Sequence, residues 1–391
     1  MFDLQSVDTQ GIEGSCKNLE NAIIPKDLLK DVVKSIEYNK IIIDYYEQFQ
    51  FEPHITFSRD TLEKNTKRLG NCNKFWELDK YEKHKIKDFK RTNLCRDKFC
   101  SNCKKVKQSA RMAKYIPVLE QYQDRLYHLT LTLPNCNGVD LLPTHKKMSK
   151  AFQTLIRYLD CRLKIKGIDF STWGYEGAVR SLEVTFKEDS YHPHYHVGLV
   201  LNIELGKKKI QNSYSFNHKK GIKELKRLFC EQEILIQKIW YLLLNEIKVT
   251  KKSIADLKEG YSCTLDKFPS EDYQELFKYM TKETDEEGQV LTYENFITLY
   301  YSLYRVKQIQ GYGVLYRITD DGDLEGMEEE YEKYIQEIAK KESPVYVLEK
   351  PQDLLLDTEY TLISRKNYFK YLRQLNHSTQ TGSCEDTETG K

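Results

Sequence analysis

No apolar run in this chain is long enough to cross a bilayer. The longest, such as Ile41-Ile42-Ile43 and Ile239-Trp240-Tyr241-Leu242-Leu243-Leu244, fall far short of the ~20 residues a membrane helix needs. The first twenty residues are polar and lack the apolar h-region of a secretory leader. A cytoplasmic protein without a membrane partner is expected, and its ten cysteines then read as reduced thiols or metal ligands rather than a disulfide framework. Internal repeats are missing. Net charge is also nearly missing, at +2, so the whole-chain value carries no nucleic-acid signal.

The distribution of charge does carry one. Lys64 to Lys114 holds seventeen Lys/Arg against five Asp/Glu, whereas Tyr316 to Lys391 holds ten against seventeen. A basic module and an acidic tail cancel in the total, and only the former attracts phosphate backbones. With 391 residues, 40% hydrophobic and 31% charged, the chain has room for two or three globular units. Four segments are expected: a helical N-terminal segment (1–58), a basic Cys-rich module (59–116), a central domain (117–315) and an acidic C-terminal segment (316–391), disordered beyond His377.

Tyr127 to Pro134 alternates leucines with His128, Thr130 and Thr132, as a half-buried strand does. Pro117 is expected to break the chain ahead of it. Lys147 to Leu163 reads as an amphipathic helix with Phe152, Leu155, Ile156 and Leu159 inward. Ala178 to Phe186 alternates again and leads through a polar turn into Tyr191-His192-Pro193-His194-Tyr195-His196-Val197-Gly198-Leu199. With the turn centred at Asp189 and Ser190, an antiparallel hairpin sets Glu183 opposite His196 and Thr185 opposite His194. Helices are expected over Lys219–Ile247, Ser270–Lys282 and Tyr293–Tyr304, and a turn at Gln310–Val314.

On such a strand His194 and His196 share one face and aim two imidazoles at a single point, a metal-ligand arrangement. Glu183, on the same polar face of the hairpin, becomes the third ligand, and His192 flanks the site. His192-Pro193-His194-Tyr195-His196-Val197 also fits the alternating pattern of nucleotide hydrolases and transferases in which the middle histidine is the nucleophile. Glu275 and Tyr279 stand one helical turn apart and can act on the same atom. Lys278 and Lys282 beside them suit an oxyanion or a DNA phosphate. Tyr273, the nearest other tyrosine, does not share that helix face. Two imidazoles for a divalent cation, a phenol and a carboxylate together suggest phosphoryl transfer on a nucleic acid. Cys95-x4-Cys100-x2-Cys103, with Cys72 upstream, supplies four thiolates for a tetrahedral structural zinc, although the spacing departs from paired CxxC knuckles. His84 is an alternative fourth ligand. A non-catalytic, zinc-stabilised DNA-binding protein is the competing reading from another class.

Six pieces in this order resemble the rolling-circle replication initiators (Rep proteins) of small Gram-positive plasmids, within the HUH endonuclease superfamily. They are Cys95 to Cys103, Leu129-Thr130-Leu131-Thr132, Leu182-Glu183-Val184-Thr185, His192 to Val197, Glu275-x-x-Lys278-Tyr279-x-x-Lys282 and Gln308 to Gly313. Ser101 stands where the family usually has proline, and Gly198 where a larger apolar residue is usual. The resemblance implies an α+β fold, with the histidine motif on a middle strand of an antiparallel sheet covered by helices. It implies nicking at a plasmid double-strand origin by Tyr279, which stays joined to the 5′ phosphate, and a glutamate-activated water (Glu275) in termination. The implied cofactors are Mg²⁺ or Mn²⁺ at the catalytic site and structural Zn²⁺. The implied partners are origin DNA, single-stranded DNA, a host helicase and the replication machinery. Oligomeric state stays open, a dimer being compatible.

Overall fold

The computed structural model describes residues 26–53, 55–72, 75–81, 86–92, 94–210, 218–220, 223–225, 228–258, 260–268, 273–277, 282–284, 288–318 and 357–364. The chain divides into two compact units, residues 1–110 with 324–391 and residues 111–323. In the first unit, helix α1 (Lys26–Phe49) buries Tyr38, Ile42, Tyr46 and Phe49, a stripe at helical spacing. Helix α2 (Arg59–Asn71) buries Leu62 and Leu69. Strands β1 (Phe75–Tyr81) and β2 (Ile86–Thr92) pair antiparallel, and a later strand, Asp357–Ser364, adds to β1. Helix α3 (Ser101–Glu120) contains the division between the units.

Pro117 does not break the chain as expected but lies inside α3. Losing one backbone hydrogen bond there is offset by the burial of Tyr115 and Leu119 on either side.

The second unit is α+β. Its elements are β3 (Leu126–Leu131), α4 (Gly138–Leu159), β4 (Gly177–Lys187), β5 (Ser190–Val200), β6 (His218–Lys220), β7 (Lys223–Leu225), α5 (Glu231–Leu244), α6 (Lys251–Asp256), β8 (Cys263–Lys267), α7 (Gln274–Phe277), α8 (Tyr293–Ser302) and β9 (Ile309–Gly313). Five strands form an antiparallel sheet in the order β8-β3-β5-β4-β9. The histidine strand β5 is therefore central. Its Pro193 is tolerated because the β3 ladder ends at Tyr195, so the proline lies beyond it.

Both faces of the sheet are covered, which is why β4 and β5 are buried almost throughout and yet alternate in chemistry. On one face Tyr195 packs against Phe152 of α4 and Trp240 of α5, ring centroids 5.5 and 6.5 Å apart. The other face carries the histidines. Toward one end it is closed by Tyr115 and Leu119 of α3 and Leu276 and Phe277 of α7, packed on Leu126, Val179, Val200 and Ile309. Glu233, fully buried, accepts from the backbone of Cys230 at 2.8 Å and of Leu265 at 2.9 Å, pinning the start of α5 to β8.

Four further expectations change. Of the expected helix Ser270–Lys282, the described helical part is α7, Gln274–Phe277, and Lys282 is not helical. The hairpin turns at Glu188 and Asp189, one residue earlier than expected, with Glu188 in the left-handed region at φ 51. Glu183 consequently faces His194, Thr185 faces His192 and Ser181 faces His196. A shift of two keeps every side chain on its face, so the site survives the correction. The expected helix from Lys219 is strand at Lys219–Lys220 and again in β7, and becomes helix only at Glu231. The expected turn at Gln310–Val314 is the edge strand β9 up to Gly313, where φ is 59. Residues 1–25, His84, Ser270 and the tail beyond His377 lie outside the described residues.

Candidate active site and metal centres

The antiparallel pairing of β4 with β5 brings Glu183, His194 and His196 to one point. Nε2 of His194 and Nε2 of His196 each lie 3.0 Å from Oε2 of Glu183. All three residues are buried. The other ring nitrogens are also engaged: Nδ1 of His194 lies 3.2 Å from the His192 carbonyl, and Nδ1 of His196 lies 3.2 Å from Nε2 of His128. Nδ1 of His194 faces a carbonyl, which can only accept, so Nε2 is the nitrogen left for Glu183 or, in its place, for a metal ion.

Burial pushes the Glu183 carboxyl up, but hydrogen bonds from His194 and His196, then the charges of His194 and Lys282, outweigh it and hold the group well below the usual carboxylate range. Lys282 Nζ lies 3.1 Å from the second oxygen, Oε1.

Two imidazoles and a carboxylate are a donor set for a hard-to-borderline divalent ion. The 3.0 Å separations are hydrogen-bond distances. They also match the edge of an octahedron with metal–ligand bonds of ~2.1 Å, about 3.0 Å. The residues present therefore fit such an ion.

The proposed nucleophile and its neighbour, Tyr279 and Lys278, lie outside the described residues. Glu275 belongs to α7, and its side chain is not described. The chain on either side is placed, however. Leu276 and Phe277 pack on the histidine-bearing face of the sheet, and Lys282 returns to Glu183 on that face. Gly198 explains the departure noted in the sequence. A Cβ there would come within 3.2 Å of both Leu276 and Val179, so its absence lets α7 sit close on β5. Tyr273 is a packing residue: its ring stacks on Phe268 at 5.4 Å and its hydroxyl donates to Gln123. His192 stacks on His194 at 5.1 Å and is outside the three-residue cluster.

Sequence reasoning missed His128. It reads as one more polar residue of a half-buried strand, yet its ring stacks on His196, centroids 5.4 Å apart. The available signal was that His128 and Thr130 face the same side as the histidines once β3 and β5 are adjacent.

In the first unit Cys72, Cys95, Cys100 and Cys103 converge, all buried, with their sulfurs within 4.8 Å of one another. Three S···S separations are 3.5, 3.6 and 3.6 Å. The edge of a tetrahedron with Zn–S bonds of 2.3 Å is about 3.8 Å, so the pocket fits zinc. Backbone amides of Arg96, Cys95 and Cys103 donate to Cys103, Cys72 and Cys100 sulfurs at 3.2, 3.4 and 3.5 Å. Arg96 takes φ 60 to turn the chain around them. Hydrogen bonds from Cys100, Cys103 and Cys95 hold the Cys72 thiol far below the ordinary thiol range. Asn39 of α1 donates to Cys100 at 3.3 Å and accepts from the Ser101 amide at 3.0 Å. The four cysteines thus form one cluster despite their uneven spacing.

No described helix is long and apolar enough to cross a membrane. The replication protein family model matches residues 86–350. A Protein rep of Staphylococcus aureus is 32% identical over 145 residues, covering 34% of this chain and 57% of that protein. A Protein rep of Bacillus amyloliquefaciens is 25% identical over 280 residues, 67% of this chain and 75% of that protein. One from Streptococcus pneumoniae is 32% identical over 111 residues, 27% and 32% of the two chains. The matched region thus spans less than two thirds of the Staphylococcus and Streptococcus proteins. No solved structure matches. With a family match over most of its length, this chain belongs to the replication protein family.

Proposed function

We propose that this chain initiates rolling-circle replication as an HUH-type nickase, with the nuclease in the unit spanning residues 111–323. The observation that carries the reading is the convergence of Glu183, His194 and His196 on one sheet face, to which the chain on both sides of Tyr279 is also brought.

Tyr279 would attack the scissile phosphorus in line. An O–P bond to the phenol forms, the bond to the 3′ oxygen breaks, and that oxygen takes a proton and leaves as the primer hydroxyl. Glu183, His194 and His196 would hold Mg²⁺ or Mn²⁺, which when bound supplies a Lewis acid to the phosphate oxygens. Lys278 and Lys282 would contact the DNA backbone. Glu275 would take a proton from water in the terminating cleavage. The four-cysteine cluster would hold a structural zinc within the basic module. Double-strand origin DNA and the displaced single strand are the substrates this chemistry needs, with a host helicase and the replication machinery acting after the nick.

A nucleophilic middle histidine needs a ring nitrogen open to substrate. Nε2 of His194 instead converges with Nε2 of His196 on one Glu183 oxygen, which favours the metal reading over a histidine-nucleophile hydrolase. Relaxation of supercoiled plasmid carrying the replicon, with and without chelator, tests the proposal. Wild type should nick only with Mg²⁺ or Mn²⁺, and His194→Ala, His196→Ala protein should not. Chelator-resistant nicking, or DNA binding without any nicking, would reject it, the latter in favour of a non-catalytic DNA-binding protein.

A further inference from the structure

We propose that His128 is a positioning residue that commits His196 to the metal through its Nε2. The inference rests on the metal reading of Glu183, His194 and His196.

An imidazole has two nitrogens and binds a metal well through one only when the other is held as a donor. The two site histidines solve this differently. His194 uses the carbonyl of His192, two residues back on its own strand, at 3.2 Å. At His196 the corresponding nitrogen, Nδ1, faces Nε2 of His128 at 3.2 Å. His128 comes from β3, whose Thr130 is the direct cross-strand partner of His196. The His128 ring is therefore one step along the neighbouring strand and reaches the imidazole diagonally.

Its orientation is fixed from two sides. The His128 and His196 rings lie nearly parallel, 16° apart, with centroids separated by 5.4 Å. Phe268 closes on His128 from another direction at 5.2 Å. Directly opposite His128 on β5 is Gly198, which puts no side chain between the two strands' rings. With Nε2 of His196 turned to Glu183 and its lone pair needed for a metal, Nδ1 carries the proton and donates it to Nε2 of His128. His128 is outside the cluster of Glu183, His194 and His196. It acts through His196.

The test is Mn²⁺ binding to the full chain, read from the free-Mn²⁺ EPR signal and so independent of nicking. His128→Phe keeps the ring contacts with Phe268 and His196 and deletes the acceptor nitrogen. His128→Gln returns an acceptor oxygen at similar reach. The Phe variant should bind Mn²⁺ about ten- to a hundredfold more weakly, the range for loss of a residue that orients a metal ligand. The Gln variant should stay within about threefold of wild type, and both should retain the wild-type melting transition. If His128→Phe does not fold, His128→Leu replaces it in the same comparison. Mn²⁺ binding by the nitrogen-free variant within threefold of wild type would overturn the proposal. Equal weakening in Phe and Gln variants would overturn it too, because ring shape rather than the hydrogen bond would then matter. Glu183→Ala, His194→Ala protein is the separate control. If it binds Mn²⁺ like wild type, the metal reading itself falls and His128 with it; if it loses Mn²⁺ while His128→Phe does not, only the His128 proposal is lost.

Discussion

Acidification should destabilise the unit spanning residues 111–323 through one buried histidine outside the candidate site. His145 lies on α4, 8% exposed, with its Nε2 lacking a hydrogen-bond partner among the described residues. Burial, and then the charge of Arg180, depress its pKa to about 4, against an ordinary value of about 6.5. A lowered histidine pKa means that the unfolded chain takes up the proton first. The stability it contributes is complete above about pH 6.5 and is lost progressively as pH falls toward 4. Between pH 7.5 and 5.5 the unfolded imidazole becomes about nine-tenths protonated while the folded one stays neutral, which costs about 1.3 kcal/mol, close to tenfold in the folding constant. Urea unfolding of wild type and His145→Leu at both pH values isolates this loss as a double difference, since changes shared by the two proteins cancel. His145→Leu should lose about 1.3 kcal/mol less than wild type over that interval. A double difference near zero would show that the folded imidazole titrates normally and is not desolvated as its position implies.

Other outcomes follow from the same packing and chemistry. Gly198→Val forces atoms into the 3.2 Å contacts with Leu276 and Val179; it should cost about 1–3 kcal/mol by overpacking and lower nicking, with Val179→Ala restoring part of both, as measured by melting and plasmid relaxation. Cys100→Ser should abolish the one zinc per chain measured by metal analysis and lower the melting temperature, whereas zinc-free wild-type protein would end the zinc assignment. Glu275→Gln should keep the first nick but fail to resolve a regenerated origin on plasmids carrying two origin copies; equal loss of both steps would remove its terminating role.

The site face of the sheet was legible because alternation is a property of the strand alone: His194 and His196, and Ser181, Glu183 and Thr185, must share faces wherever the strands pair. Register was less legible, since a two-residue turn starting at Glu188 requires a left-handed φ of 51 at a residue that does not advertise it. The cysteine cluster was readable from residue type, and α1 falls in the segment expected to be helical, although its support of the cluster through Asn39 was not readable. His128 escaped because its role depends on β3 lying beside β5, a long-range pairing that no local pattern encodes. Pro117 and the strand β9 misled for a related reason. Burial of Tyr115 and Leu119 overrides a helix breaker, and Gly311 and Gly313 signal a turn locally while their backbone pairs with β4.

The central claim is that Tyr279 is the atom donor for a metal-dependent DNA adduct. The most direct measurement is mass spectrometry of the full chain after incubation with Mn²⁺ and single-stranded oligonucleotides tiling the replicon, followed by proteolysis. The account predicts a 5′-phosphonucleotide on the peptide containing Tyr279, absent in chelator and absent from Tyr279→Phe protein. A metal-independent adduct, or one mapped to His194 or Tyr273, would contradict it.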